Sequence, residues 1–520
     1  MLKQQKRSHN NKKRLCNKYP SEHLDSEVGL PSLTMGLAGL WTCLVLAGSV
    51  CLASGDHQTQ EHEAQQELQK LSFPDPEPLF LTPLIENCSY DEAKSKSKVD
   101  IFKTVNVTAD AYSGYITVNG EKENNLFFLF IEAENNDTNA PLMLWTPGGP
   151  GLSALFAMLL QNGPVQFNQY GNFSRRELTI QKNMSVIYLD APVGAGLSFT
   201  NNSGYATEMK NITNDILEFL KQFLQLFGKY RGRDFYAGGD SYAARYSVAL
   251  AYEMLKNETA VDLKFQGIIG GVGFLAPVFD LADSSDFLLQ TSMLNKTGYQ
   301  IFKNQFSIMR MLAVQNNITA VYMLLQTIFS YEPPETKKTL FQQLTLYNSH
   351  ASPLYTERPQ SMLWSAYCAA RPEFKAAIHA GANRTIEHAN RTLLEKLIVD
   401  WMVDITEKVE YVLNHTRVLF YTGQLDALFP SANSQAYFER LNWTHSEKYR
   451  NANRTLWRPY GSVLKPYDLP ISAAGYTKSA GNFTSAVVLG MGHYAGFDKP
   501  DEIYHLIMQF LARDISFSSQ

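Results

Sequence analysis

The chain has 520 residues, 45% of them hydrophobic, and a formal net charge of −4 at pH 7. This length is sufficient for one large α/β domain with an insertion or for two or three domains, and the apolar fraction is ample for a core. A weakly acidic chain with no basic stripe in its body is not expected to bind nucleic acid as its main partner. The function classes that remain are an enzyme and a binding protein.

The N-terminal residues differ in composition from the rest of the chain. Residues 1–34 contain a basic tail, and a charge-free apolar run covers residues 35–53 before the small residues Ser54 and Gly55. One interpretation is a cleaved signal peptide over 35–55 that starts at Met35, with the tail not translated. Another is a cytosolic tail before an uncleaved signal anchor. A buried core helix is the third alternative, but the first two both place residue 56 onwards in the secretory pathway, without stable membrane association unless the anchor is retained.

Sixteen Asn-x-Ser/Thr sequons agree with that compartment, since chance would give roughly four or five, and they predict an N-glycosylated chain. They begin at Asn87, Asn106, Asn136, Asn172, Asn183, Asn201, Asn211, Asn257, Asn295, Asn317, Asn383, Asn390, Asn414, Asn442, Asn453 and Asn482. Of the five cysteines, Cys88 and Cys368 are the two that follow the apolar run. Because oxidation is allowed there, we expect a Cys88–Cys368 disulfide, the alternative being two unrelated buried thiols.

Strand and helix patterns alternate after a polar, Gln- and Glu-rich leader at 56–77. Strands are predicted at "SGYITVNG", "NLFFLFIEA", "PLMLW", "MSVIYLD" and "DFYAG", and a helix at "NITNDILEFLKQFLQLF". This alternation predicts an α/β fold with a doubly wound, mainly parallel central sheet flanked by helices. Residues 275–372 have helical periodicity instead, which predicts a helical insertion between core segments 78–274 and 373–515.

Ser241 lies where the predicted strand "DFYAG" turns into the predicted helix "ARYSVALAYEML". A nucleophile elbow needs this strand, a turn with small residues and a helix. Alone, the pattern fits a structural turn serine equally well. Asp426 and His493 favour a catalytic serine, because each follows a predicted strand. The order Ser, Asp, His along the chain is also that of the catalytic triad in α/β proteins with a nucleophile elbow. A serine hydroxyl needs a histidine base, and the histidine needs a carboxylate to orient it.

The predicted oxyanion hole consists of two backbone amides. One belongs to Tyr242, the residue after the nucleophile, and the other to Gly149 in the glycine turn "PGGPG". No metal or other cofactor is expected, since the eleven histidines are scattered and no His-Glu-x-x-His run occurs.

The motifs "LWTPGGPGLSALF", "YLDAPVGAGLSF", "DFYAGGDSYAARY", "LFYTGQLD" and "GMGHYAGFDKP" resemble the successive signatures of the serine carboxypeptidases, most closely of the vitellogenic carboxypeptidase-like branch. The resemblance implies an α/β-hydrolase with a helical cap that releases C-terminal residues from peptide or protein substrates at acidic pH, in lysosomes or outside the cell. It implies the same triad and the same oxyanion amides, and it leaves a homodimer open.

The site for the substrate's C-terminal carboxylate departs from the family pattern. The resemblance places it at Pro147, Gly148, Gln161 and Asp240, where the family usually has Asn at 147 and Glu at 161 and 240. Pro147 has no side-chain donor, Gln161 cannot titrate, and Asp240 is shorter than Glu by one methylene. Three functions therefore remain: a serine carboxypeptidase, a serine esterase or acyltransferase on the same fold, or a catalytically weak binding or storage glycoprotein.

Overall fold

The computed structural model of the protein describes residues 76–135, 137–167, 173–201, 203–329, 338–388, 390–459 and 473–512, all within one compact unit. The predicted tail, the signal segment and nearly all of the leader lie outside these residues. Within the described ranges, no helix combines the length and the apolar character needed to cross a membrane.

The strands, in chain order, are β1 Lys98–Val99, β2 Ala111–Asn119, β3 Asn124–Ile131, β4 Leu142–Thr146, β5 Val165–Phe167, β6 Phe173–Arg175, β7 Ser185–Leu189, β8 Arg233–Asp240, β9 Leu263–Gly271, β10 Arg417–Gly423, β11 Thr455–Trp457, β12 Gly475–Ala480 and β13 Phe483–Val488. The α-helices are α1 Thr82–Glu86, α2 Tyr90–Lys96, α3 Leu155–Ala157, α4 Met209–Leu226, α5 Tyr242–Lys256, α6 Val278–Leu281, α7 Ser285–Gln290, α8 Lys296–Val314, α9 Thr319–Thr327, α10 Leu340–Thr345, α11 Gln360–Ala369, α12 Pro372–Ala377, α13 Arg391–Leu397, α14 Thr406–His415, α15 Ser431–Arg440, α16 Ser446–Asn451 and α17 Pro500–Leu511.

One large sheet has the strand order β1-β2-β3-β7-β4-β8-β9-β10-β13-β12-β11. Its centre, from β7 to β13, is parallel, and the pairings outside that centre are antiparallel. β5 and β6 form a separate antiparallel pair. The predicted α/β architecture with a parallel central sheet is confirmed. The order places the carboxyl ends of β8, β10 and β13 at one edge of the sheet.

The central strands β4 and β7 are buried over their whole length, because side chains pack on both faces of the sheet. All five residues of β4 are buried. Leu142 and Leu144 belong to one hydrophobic cluster, whereas Met143 and Trp145 belong to the other. Such continuous apolar runs are typical of parallel strands with both faces packed.

Between β9 and β10 the described residues form helices and no strand. Phe302, Phe306 and Met309 of α8 are fully buried and belong to the same hydrophobic cluster as the core helix α4. The helices of this segment therefore pack as part of one unit with the sheet.

The predicted Cys88–Cys368 disulfide is not formed in the structure. Cys88 has a free, exposed thiol, and the Tyr90 hydroxyl donates to its sulfur at 3.7 Å. Cys368 is buried in α11, and burial raises the pKa of its thiol to about 11. Their near neighbours pack in different places, since Ile85 belongs to one hydrophobic cluster and Ala369 to the other.

Candidate active site

Ser241 occupies a sharp turn between β8, which ends at Asp240, and α5, which begins at Tyr242. Its backbone has φ 60° and ψ −122°, a conformation that costs on the order of 1–3 kcal/mol for a residue with a side chain. The turn is held by two backbone hydrogen bonds, because the Ser241 amide donates to the Gly271 carbonyl at 2.7 Å and the Phe274 amide donates to the Ser241 carbonyl at 3.1 Å.

Small residues flank Ser241 because the chain approaches itself closely there. A Cβ atom added to Gly239 would overlap the methyl group of Ala243 and lie 2.7 Å from the Thr146 carbonyl oxygen. Position 239 therefore requires glycine, whereas alanine is accommodated at 243. The structure has the strand, turn and helix that the sequence predicted around Ser241.

The structure brings Ser241, His493 and Asp426 into one hydrogen-bonded chain. The Ser241 Oγ lies 3.1 Å from His493 Nε2, and His493 Nδ1 lies 2.9 Å from Asp426 Oδ2. Asp426 is fully buried, and its second oxygen accepts hydrogen bonds from the amides of Leu428 and Phe429 at 2.9 and 2.8 Å. These bonds fix the carboxylate, which in turn holds the imidazole with Nε2 directed at the hydroxyl.

Opposing effects set the basicity of His493. Burial disfavours the charged imidazolium, but the charge and hydrogen bond of Asp426, followed by the charges of Asp240 and Asp498, outweigh it, so the pKa of His493 is raised above its ordinary value. An imidazole with a raised pKa is a stronger general base, although it loses its base form sooner as the pH falls.

The glycine turn after β4 packs directly against Ser241. A Cβ atom added to Gly148 would lie 2.8 Å from the Asp240 carbonyl oxygen and 3.1 Å from Ser241 Cβ. Gly149 follows with φ +115°, where an added Cβ would lie 2.8 Å from the Gly151 nitrogen. The Tyr242 amide belongs to the first turn of α5, whose N–H groups have no partner within the helix. Of the two predicted oxyanion residues, Tyr242 directly follows the serine, and Gly149 directly follows Gly148, which packs against it.

Asp190 is a site residue that the sequence analysis missed. It is buried at the end of β7 and accepts hydrogen bonds from the Ser153 hydroxyl at 2.9 Å, the Ala154 amide at 2.6 Å and the Leu197 amide at 2.7 Å. Burial raises its pKa to about 7, against the effect of these donors. The carboxylate ties the end of the glycine turn to the core. An acid immediately after an apolar strand, in "YLDAP", was the available signal.

The predicted substrate-binding residues Gln161 and Asp240 are in contact. Gln161 Nε2 donates to Asp240 Oδ2 at 2.9 Å and to the Tyr494 carbonyl at 3.2 Å, so both of its N–H protons are engaged. The Tyr421 hydroxyl donates to Asp240 Oδ1 at 2.6 Å. Burial raises the pKa of Asp240 above its ordinary value, although the hydrogen bonds from Tyr421 and Gln161 and the charge of His493 oppose this. Pro147 is buried at the start of the glycine turn.

A backbone carbonyl from the inserted helical segment joins the two loops that carry the imidazole and its carboxylate. The Ala351 carbonyl accepts hydrogen bonds from the His493 amide at 3.0 Å and the Ala427 amide at 3.3 Å. The neighbouring His350 has its pKa lowered to about 3 by burial and then by the charge of His493. No side-chain pattern could have indicated this contact, because a main-chain oxygen makes it.

The described part of the chain contains no group of three or more His, Cys, Asp or Glu residues that could hold a metal ion. The arrangement supplies a hydroxyl and a base, and together with the two predicted oxyanion amides these would be the components of acyl transfer.

Comparisons with known proteins agree with this chemistry. A family model described as serine carboxypeptidase matches residues 102–513. The venom serine carboxypeptidase of Apis mellifera is 31% identical over 439 residues, which cover 83% of this chain and 90% of that protein. The vitellogenic carboxypeptidase of Aedes aegypti is 28% identical over 438 residues, which cover 84% of this chain and 90% of that protein.

A solved structure extends the comparison to the fold. Kex1(delta)p, described as a prohormone-processing carboxypeptidase from Saccharomyces cerevisiae, superposes with a TM-score of 0.68 at 17% identity and covers 82% of this chain and 98% of that one. At this identity the likeness concerns the fold alone, and it confirms the predicted α/β-hydrolase class.

Proposed function

The chain belongs to the serine carboxypeptidase family, a family of peptide hydrolases, and we propose that it releases C-terminal residues from peptides through an acyl-enzyme on Ser241. The observation that carries the proposal is the hydrogen-bonded chain from Ser241 Oγ to His493 Nε2 at 3.1 Å and from His493 Nδ1 to Asp426 at 2.9 Å.

In the acylation step, Ser241 Oγ bonds to the carbonyl carbon of the last peptide bond as its proton passes to His493 Nε2. The carbonyl oxygen becomes an oxyanion, which the amides of Gly149 and Tyr242 stabilise. His493 then donates its proton to the departing nitrogen, the C–N bond breaks, and the C-terminal residue leaves. A water molecule attacks the ester by the same route and restores the serine.

The proposed recognition of the terminal carboxylate depends on a proton on Asp240. Because both N–H groups of Gln161 are already engaged, Asp240 is the side chain of this pair that can supply a donor, and only in its protonated form. An ionised Asp240 would repel the substrate carboxylate. Free-acid peptides should therefore be cleaved best at acidic pH, with activity lost as rising pH ionises Asp240.

The protonation of Asp240 also favours a working base. The charge of Asp240 is one of the causes that raise the pKa of His493. Neutralising Asp240 removes that contribution, so the pKa of His493 falls and more of the imidazole is in the base form at the same pH. The two requirements, an uncharged acid and an uncharged imidazole, thus support each other within the acidic range.

The test is Ser241→Ala with Ser247→Ala as its matched control. Ser247 is buried in the same helix, and its hydroxyl donates to the Ala243 carbonyl at 3.1 Å, away from His493. Ser241→Ala should lose activity by on the order of a million-fold, whereas Ser247→Ala should stay close to wild type. If Ser241→Ala keeps a tenth of the wild-type rate on a free-acid peptide, Ser241 is not the nucleophile.

We also propose that the chain is N-glycosylated in the secretory pathway and acts in lysosomes or outside the cell. The distribution of the sequons supports this, because most asparagines that begin one in the described residues are exposed. These exposed residues are Asn87, Asn106, Asn183, Asn257, Asn295, Asn317, Asn383, Asn414, Asn442, Asn453 and Asn482. Glycopeptide mapping of protein made in a secretory host tests the proposal, and unmodified asparagines at all of these positions would contradict it.

The altered carboxylate site favours a second candidate, a serine esterase or acyltransferase. Pro147 has no side-chain donor, and the Gln161 donors are already engaged, so the affinity for a free carboxylate is reduced while the acyl-transfer groups are complete. Matched free-acid peptides, C-terminal amides and esters distinguish the two. A kcat/KM that is highest for the free acid supports the carboxypeptidase, whereas indifference to the terminal group supports the second candidate.

A further inference from the structure

A fully buried polar cluster lies behind the first turn of α5 and belongs neither to the triad nor to the carboxylate site. It consists of Tyr242, Arg245 and Asp400, whose exposed fractions are 0%, 0% and 3%. The Tyr242 hydroxyl donates to Asp400 Oδ2 at 2.6 Å, and Arg245 Nε donates to the same oxygen at 3.0 Å. One carboxylate thus holds two side chains from the turn that follows the nucleophile.

The guanidinium group of Arg245 anchors this turn to a separate chain segment. Its Nη2 donates to the carbonyls of Asp400 and Val403 at 2.8 and 2.5 Å, and its Cζ lies 5.2 Å from the centre of the Phe274 ring. Asp400 belongs to a short 3₁₀ turn at Asp400–Met402, which precedes β10 by more than a dozen residues. The contacts therefore connect α5 to a part of the chain outside the elbow.

A buried ion pair is weak evidence for stability, because apolar residues of similar volume often serve the fold equally well. The position of this one indicates another role. Residues 242 and 245 lie on one face of the helix, and Tyr242 carries the amide proposed for the oxyanion hole. Its peptide group also follows Ser241, whose φ of 60° stores strain that a loosely held first turn could relieve.

We propose that Asp400, by holding the Tyr242 hydroxyl and the Arg245 guanidinium, positions the Tyr242 amide for the oxyanion of the transition state. Tyr242, Arg245 and Asp400 act as positioning residues through their side chains, and the proposal rests on the function proposed above. Burial, followed by the charge of Asp400, holds the pKa of the Tyr242 hydroxyl well above its ordinary value, so the hydroxyl remains a donor at every working pH.

The test is Tyr242→Phe in the full chain, which removes the hydroxyl and keeps the ring and the amide. Tyr246→Phe is the matched control, since Tyr246 is 1% exposed in the same helix and its hydroxyl has no hydrogen-bond partner in the described part of the chain. A misplaced oxyanion donor costs transition-state stabilisation, so Tyr242→Phe should lower kcat roughly ten-fold with KM nearly unchanged. Tyr246→Phe should leave both constants at their wild-type values.

A binding measurement separates positioning from a merely structural role. A peptide aldehyde adds to Ser241 and places an oxyanion in the hole, whereas a cleaved peptide product binds without one. Tyr242→Phe should weaken the aldehyde by the same roughly ten-fold factor and leave the product affinity unchanged. Arg245→Lys keeps the charge but loses the planar fork of donors. It should therefore also lower kcat and weaken the binding of the aldehyde.

Thermal unfolding of each variant verifies that it is folded. Folded Tyr242→Phe and Arg245→Lys variants with wild-type kcat and aldehyde affinity would overturn the proposal, as would equal losses of aldehyde and product binding. Failure of the proposed function has a different outcome, since Ser241→Ala would then retain turnover whatever the behaviour of Tyr242→Phe.

Discussion

Replacing Gln161 by Glu should extend the cleavage of free-acid peptides to higher pH. The wild-type amide donates to Asp240 Oδ2 at 2.9 Å and to the Tyr494 carbonyl at 3.2 Å, which leaves recognition to the proton of Asp240. In the variant, two carboxyl groups at that separation cannot both ionise easily, so the pair retains a shared proton to higher pH than Asp240 alone.

The expected gain follows from one hydrogen bond. A hydrogen bond to a charged group contributes about 1.5–3 kcal/mol, which corresponds to roughly ten- to hundred-fold in kcat/KM. The gain should appear at the pH where Asp240 of the wild type has ionised and disappear at low pH, where Asp240 is protonated in both proteins. The direction follows from the raised pKa of Asp240, whose protonated form is lost as the pH rises.

The assay is kcat/KM against pH for one peptide as free acid and as C-terminal amide. The amide has no carboxylate to recognise, so its pH profile is the internal control and should be nearly the same for both proteins. Free-acid profiles that superimpose for Gln161→Glu and the wild type would refute this account of the Gln161–Asp240 pair. A gain that is equal for the amide would refute it also, because the change would then lie in the acyl-transfer step.

Three further predictions concern other parts of the molecule. Pro147→Asn should raise kcat/KM for free-acid peptides roughly ten-fold by adding a donor, and an unchanged value with a folded variant would contradict this. Asp426→Asn should lower kcat by on the order of 10⁴, because the imidazole of His493 loses its orienting acceptor. The pKa of His493 should fall as well, and titration by NMR would detect this. Cys88→Ser should change the free energy of unfolding by less than about 0.5 kcal/mol, since Cys88 is exposed and not bonded to Cys368. A decrease of several kcal/mol in the free energy of unfolding, or a disulfide-linked Cys88–Cys368 peptide found by mass spectrometry, would show that the disulfide forms.

The hydrogen-bonded chain of Ser241, His493 and Asp426 was predictable because the chemistry of these residues and their position in the sequence agree. Ser241 follows a strand and precedes a helix, and Asp426 and His493 each follow a buried strand in the order that this fold requires. Such signals are local, so periodicity and turn composition suffice to locate them. The parallel sheet was predictable for the same reason, since alternating apolar strands and amphipathic helices have few ways to cover both faces of one sheet.

The pairing of the cysteines could not be decided from the sequence. Because the other three cysteines lie in or before the apolar run, a Cys88–Cys368 disulfide was expected. The segments that carry these two residues nevertheless pack on opposite faces of the sheet. Which face a segment covers depends on the path of the whole chain and not on its own composition.

The supporting contacts of the site were decided only by the tertiary structure. Asp400 lies 155 residues from Arg245, and Tyr421 lies 181 residues from Asp240. The Ala351 carbonyl has no side-chain signature at all. The sequence determined which local segments could become a strand, an elbow or a helix, because those preferences arise from neighbouring residues. Contacts between distant segments depend on how the completed layers pack, so the partners of a buried donor or carboxylate are defined only in the folded chain.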